Sequence, residues 1–109
     1  MAFDETLAAR LRPLLAGTDG LVEKKMFGGL AFLVHGNMSV GVHGSELIVR
    51  IDPSETEEAL EEPGTRVFDM TGRPMKGWLL VSAESLRRKK TLTMWVKRGV
   101  SFAQSLPVK

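Results

Sequence analysis

Basic side chains set beside glycines mark two stretches of this chain: Lys24-Lys25-Met26-Phe27-Gly28-Gly29-Leu30-Ala31-Phe32 and Gly72-Arg73-Pro74-Met75-Lys76-Gly77-Trp78. Glycine permits backbone conformations closed to other residues and lets a neighbouring group come close, while lysine and arginine supply charge for an anion. Two readings follow. In one, the glycines bend or bulge a sheet strand. In the other, Lys24, Lys25, Arg73 and Lys76 line a pocket between the two stretches and hold an anionic group of a small ligand. Neither stretch is a phosphate loop. Lys24 and Lys25 precede their glycines, and no Lys-Ser or Lys-Thr opens a helix after them.

Other candidate chemistry is sparse. His35 and His43 both flank turns, and no carboxylate pattern completes a metal-ligand set around either. Ser39 has no base or nucleophile-elbow context. The carboxylates of Glu55 to Glu62 are explained by an exposed acidic helix without acid–base work. The chain has no cysteine, so disulfides, thiolate nucleophiles and cysteine-ligated metals are excluded. It also has no tyrosine, which leaves Phe27, Phe32 and Phe68 as the basis for any base-stacking platform. No catalytic residue, cofactor or metal site is expected.

Charge is more informative than chemistry. The net charge of +2 hides an uneven spread: residues 51–72 hold seven acids against Arg66, and residues 73–109 hold nine bases against Glu84. The run Arg87-Arg88-Lys89-Lys90, followed by Lys97 and Arg98, could contact phosphates of nucleic acid without reading bases. It could equally meet an acidic protein, the acidic middle of its own chain or of a second copy, or only solvent.

At 109 residues, with 43% hydrophobic and 26% charged residues, the chain is expected to form one soluble globular domain spanning 1–109. No apolar run reaches the ~20 residues that span a bilayer. Met1-Ala2-Phe3-Asp4-Glu5 lacks the basic flank and apolar core of a secretory signal. A cytoplasmic location, with no membrane partner, is the expectation.

The elements that must carry these residues follow from pattern. Asp4 caps a helix from about Phe3 to Ala16, with Leu7, Leu11, Leu14 and Leu15 at helical spacing, Pro13 near its end and Gly17 as its stop. Val22 to His35 reads as one long strand bulged at Gly28-Gly29. Gly36-Asn37 and Gly44-Ser45 are turns that join it to strands over Met38–His43 and Leu47–Ile51, an antiparallel meander. Ser54 and Glu57 form a capping box for a short acidic helix ended by Pro63-Gly64. Val67, Phe68 and Met70 make a fourth strand, Gly72-Arg73-Pro74 a turn and Trp78–Val81 a fifth strand. Ser82 then caps helical chain that bends near Lys89-Lys90-Thr91. Its last helix carries Leu92, Trp95, Val96, Gly99, Phe102, Ala103 and Leu106 in one stripe and ends at Pro107.

The order α-β-β-β-α-β-β-α makes an α+β two-layer sandwich, a five-stranded antiparallel sheet with helices on one side. Trp78 and Trp95 read as core anchors that pack near each other. A Gly36-Asn37 loop pairs residue 34 with 39, 32 with 41 and 31 with 42. Phe32 and Val34 then lie opposite Leu33, Val40 and Val42. Both sheet faces would be partly apolar, and the uncovered one is expected to be a contact surface for self-association as a homodimer.

The two glycine stretches resemble those of the TfoX N-terminal domain family. Gly36-Asn37-Met38, Leu47-Ile48-Val49-Arg50-Ile51, the helix around Trp95 and the ending Phe102-Ala103-Gln104-Ser105-Leu106-Pro107 fit the same family in order and spacing, so the likeness covers nearly the whole chain. The resemblance implies a small secretion-chaperone-like α+β domain. It also implies kinship with regulators of natural competence that act with a cyclic-AMP-responsive transcription factor. Those namesakes carry a second, helical C-terminal domain, and this sequence stops at Lys109, where the first domain is expected to end. The resemblance carries no catalytic residue.

The expected function is therefore that of a non-enzymatic regulatory domain acting through protein contact. Lys24, Lys25, Phe27, Gly28, Gly29, Arg73, Lys76 and Gly77 would shape one surface, and Arg87, Arg88, Lys89 and Lys90 a second. The alternatives are nucleic-acid association through the basic third and binding of a small anionic ligand.

Overall fold

The computed structural model describes residues 4–26, 29–69 and 76–108. Helix α1 (Glu5–Leu15) opens on Asp4, whose carboxylate accepts from the backbone N–H groups of Thr6 and Leu7. That fills donors which the first turn leaves without intrahelical partners. Leu7, Ala8, Leu11 and Leu15 form its buried stripe, and Gly17 follows at φ +84°.

Six strands, β1 (Leu21–Met26), β2 (Gly29–Val34), β3 (Asn37–His43), β4 (Glu46–Arg50), β5 (Thr65–Val67) and β6 (Trp78–Val81), form one antiparallel sheet in the order β1-β2-β3-β4-β6-β5. The architecture is the expected α+β layer pair. The strand count differs because the long strand expected over 22–35 is a hairpin. Met26 pairs with Gly29, and Leu21 with Val34. An unbroken strand from 22 to 35 would run about 45 Å at ~3.3 Å per residue, well beyond the 30 Å extent of the domain.

The next turn is also one residue earlier than expected. His35 and Gly36, at φ +50° and +85°, form the loop, and Asn37 pairs with Val34 as the first residue of β3. Positive φ at both central residues matches the right-handed twist of the flanking strands. The register then shifts: Leu33 faces Met38 but Phe32 faces Val40, so Ser39 is the extra residue of a bulge. Its buried hydroxyl donates to the Phe32 carbonyl at 2.8 Å. This overturns the expected facing, because Phe32 now shares a face with Val40 and Val42, while Leu33 packs on the other. The turn at Gly44-Ser45 stands as read, between paired His43 and Glu46.

After β4 a 3-10 turn (Pro53–Glu55) leads into α2 (Thr56–Ala59). Its cap is Asp52 rather than Ser54: the Asp52 carboxylate accepts from the Ser54 N–H and hydroxyl, and these bonds hold its pKa below the ordinary carboxylate value. The fourth strand lies slightly earlier than expected, with Phe68 just past its end, and Met70 falls outside the described residues. A second 3-10 turn (Ser85–Arg87), to which Ser82 gives its hydroxyl as acceptor for the Ser85 N–H, precedes α3 (Lys89–Ser105).

All three helices contribute to one core against one sheet face, where Leu30, Phe32, Val40, Val42, Leu47, Val49, Leu79 and Val81 meet Leu11, Ala59, Leu92 and Trp95. On the opposite face Ala31, Met38, Ile48, Phe68 and Leu80 are buried together, with Met26, Leu33 and Trp78 half-buried around them. The two tryptophans therefore do not pack near each other; the sheet separates them. Nor is that second face an open apolar surface. Among the described residues the exposed large hydrophobics are Val22 and Val108.

Charge pairs tie the periphery. Arg12 of α1 donates to both carboxylate oxygens of Glu23 on β1, at 2.8 and 3.1 Å, Arg66 pairs with Glu46, and Arg98 with Glu55. The bond from Arg12 holds the Glu23 carboxyl below its usual pKa. A lowered carboxyl pKa contributes stability above the unfolded-state value, and that contribution is lost as pH falls through the folded value. Because the pair is largely exposed, Glu23→Gln should cost less than about 1 kcal/mol at neutral pH and make the acid limb of a pH–stability curve shallower.

The buried bulge bond is a sharper test. Ser39→Ala leaves the Phe32 carbonyl without this donor and should lower the urea-unfolding free energy by about 1–3 kcal/mol.

Candidate functional site

The described parts of the two glycine stretches do not converge. The first runs from β1 into β2, where Met26 pairs with Gly29 beside the end of β3 and Leu30 pairs with Val42. The second enters β6 at Trp78, paired with Arg50 at the far end of β4. β1, which carries Lys24 and Lys25, stands four positions from β6 in the sheet, about 19 Å at ~4.8 Å per step, and the two stretches lie at opposite ends of it. Lys24 and Lys25 are exposed on edge strand β1, and Lys76 is exposed before β6. These lysines cannot line one pocket, which corrects that part of the small-ligand expectation. Phe27, Gly28 and Arg73 lie outside the described residues.

The described glycines of both stretches are fixed by architecture. A side chain at Gly29 would put its Cβ 2.1 Å from the Val42 carbonyl oxygen. Gly77 sits at φ +84°, where a Cβ would lie 2.8 Å from the Ile51 carbonyl oxygen. Its N–H donates to the Thr56 hydroxyl at 2.8 Å in a buried bond, and its carbonyl accepts from the Ile51 N–H at 2.8 Å. Thr56 in turn donates to the Pro53 carbonyl. One buried hydroxyl thus clips the entry of β6 to the turn that follows β4.

That clip creates a corner which the sequence did not single out. Arg50, half-buried, places its guanidinium carbon 5.1 Å from the centroid of the Trp78 ring and 5.5 Å from that of Phe102 on α3. Cross-strand pairing brings Trp78, and the last turns of α3 bring Phe102. The only hint in the sequence is an arginine set directly after the apolar run Leu47-Ile48-Val49. Beside the corner, Ile51, Asp52, Ser101, Phe102 and Ser105 line an open cleft of about 380 Å³, with Glu55, Lys97 and Arg98 completing its wall.

The basic run forms a second feature, on the turn before α3 and on its first turn. Arg87, Arg88, Lys89 and Lys90 are all exposed, and Lys97 is exposed two turns further on. None of the five has an ion-pair partner among the described residues, in contrast to Arg12, Arg66 and Arg98. Lys89, Lys90, Thr93, Met94, Lys97 and Arg98 share one open surface of about 650 Å³. Arg88 also edges a separate cleft of about 340 Å³ in which Glu62 and Glu84 stand beside Thr91 and Trp95.

The histidines are peripheral. His35 Nε2 lies 3.4 Å from an oxygen of exposed Asp19, and His43 meets the edge of the Phe68 ring, centroids 5.7 Å apart. Among the described residues no three His, Cys, Asp or Glu side chains group as metal ligands, and no helix is long and apolar enough to cross a membrane.

Fold and surface together define a small α+β domain whose features are open clefts and a basic helix face. The chain belongs to the TfoX N-terminal domain family, whose model matches residues 13–103. A comparison with curated proteins found no relative that matches.

The clip can be tested directly. Thr56→Val keeps the shape but leaves the Gly77 N–H without its acceptor, and should cost about 1–3 kcal/mol in urea unfolding. Its chemical-shift changes should centre on Gly77, Trp78 and Ile51.

Proposed function

We propose that this domain is a non-enzymatic, regulatory protein-binding module whose basic face on α3 docks an acidic protein surface. The observation that carries the reading is the set of five exposed cations, Arg87, Arg88, Lys89, Lys90 and Lys97, that form no ion pair among the described residues, while three other arginines are paired within the chain. Clustered charges of one sign steer an oppositely charged partner and set its orientation.

One detail favours protein over nucleic acid. Half-buried Met94 lies among Lys89, Lys90 and Lys97. It gives the patch an apolar contact that a protein interface uses and a phosphate backbone does not. The family membership is consistent with a regulatory role. The open form of the basic surface suits docking better than turnover.

The triple variant Lys89→Glu, Lys90→Glu, Lys97→Glu should keep the wild-type fold by NMR. It should also lose at least about tenfold in affinity for an acidic partner captured after nuclease treatment, since like charges across an interface are strongly unfavourable. Duplex DNA titrated at physiological salt should give no saturable binding. Retained affinity in the variant, or tight binding to duplex DNA that falls steeply with salt, would refute the reading.

A further inference from the structure

We propose that Arg50 anchors a carboxylate-binding site at the corner where the ends of β4, β6 and α3 meet; the cleft beside it shares Lys97 and Arg98 with the basic face of α3, but the site does not depend on the role of that face. Arg50 is half-buried, and burying a charge is costly unless it is paired or otherwise compensated. The other half-buried arginines meet that demand within the chain: Arg10 donates to the Leu86 carbonyl at 2.7 Å, and Arg98 to Glu55 at 3.1 Å. Arg50 has no hydrogen-bond or ion-pair partner among the described residues. Its described contacts are aromatic, with Trp78 and Phe102.

An aromatic ring face attracts a cation without accepting its in-plane hydrogen bonds. Contact with two rings therefore steadies the guanidinium and leaves its N–H edge available. That edge is a planar fork of donors, matched by the two oxygens of a carboxylate. The Phe102 ring, which also lines the adjoining cleft, forms an apolar wall against which the body of such a ligand can lie.

The adjoining cleft sets the charge of the ligand. Phe102 both contacts Arg50 and lines this cleft, and Ile51, the next residue along β4, lines it too. Within the cleft Lys97 and Arg98 balance Asp52 and Glu55. Arg98 is bound to Glu55, and Asp52 is engaged with Ser54. Arg50 adds a single positive charge to that balance, which suits a monoanion better than a phosphate dianion. The hydroxyls of Ser101 and Ser105 lie on the same lining. The occupant inferred is a monocarboxylate with an apolar body, either a small organic acid or an acidic side chain of a peptide.

The test is an NMR titration of the full chain, at constant ionic strength, with benzoate and with a short end-blocked peptide carrying one glutamate. Inorganic phosphate and chloride serve as controls. Saturable shifts are expected at the Arg50 side-chain N–H and the Trp78 indole, with at least a tenfold weaker response in Arg50→Lys, which keeps the charge but loses the fork. Tighter binding of benzoate assigns the site to small acids, and tighter binding of the peptide assigns it to a protein partner. Phe102→Leu, which leaves Arg50 intact, should weaken binding as well and gives an independent variant if Arg50→Lys is unstable. The proposal is overturned if the carboxylate probes give no saturable shift at Arg50, if phosphate or chloride matches them, or if Arg50→Lys folds and binds undiminished.

Discussion

The contact between α3 and β3 at Gly99 is the constraint on which the layer packing depends. A Cβ at Gly99 would lie 2.5 Å from the Ser39 carbonyl oxygen and 2.7 Å from a Val40 methyl, so the helix rides directly on the bulged strand. Trp95 and Ala103, one turn to either side, are then fully buried in or beside the same core. The bulge that puts Ser39 under the helix also turns Val40 and Val42 toward it while leaving Met38 on the far face. One extra residue in β3 thus fixes both how close the helix comes and which side chains it meets. Close packing makes such a contact intolerant of even one added methyl group.

The same seating of α3 divides the surface between its two ends. The start of α3 and the turn before it present cations that form no ion pair among the described residues. The end of α3 delivers Phe102 to Arg50, and beyond it the Pro107 carbonyl accepts from buried Asn37 at 2.9 Å, holding the chain after the helix against the first residue of β3. The two clusters of positive charge differ in kind. The first is solvated and suits long-range attraction, which salt screens. The second is a single guanidinium held against aromatic rings, where partial desolvation strengthens a short-range bond to an anion.

Much of the local structure was legible from residue type and spacing. Asp4 as a cap, the Gly44-Ser45 turn, the alternation of β4 and the stripe of α3 all follow from local hydrogen bonding and hydrophobic period. The errors share a cause. Whether residues 22–35 run straight or fold back, and whether Gly36 begins or ends a turn, depends on the length of the domain and on pairing with neighbours, which local pattern does not encode. The bulge at Ser39 is stabilised by a bond to Phe32, on the neighbouring strand, and nothing in the spacing of Met38, Val40 and Val42 signals it. At the candidate site, the cations of 87–90 were visible as a run. Arg50 was not, because its partners Trp78 and Phe102 are distant in sequence.

The sequence by itself determined the fold class, the Asp4 cap of the first helix, the family and the unequal distribution of charge, since these rest on local propensity, period and composition. Tertiary structure decided which residues share a face and which basic groups stand together. It separated the two glycine stretches to opposite ends of the sheet and placed the two tryptophans on its two sides. It also joined Arg50 to Trp78 and Phe102. These outcomes depend on strand register and helix seating, where one inserted residue reverses the direction of every side chain beyond it.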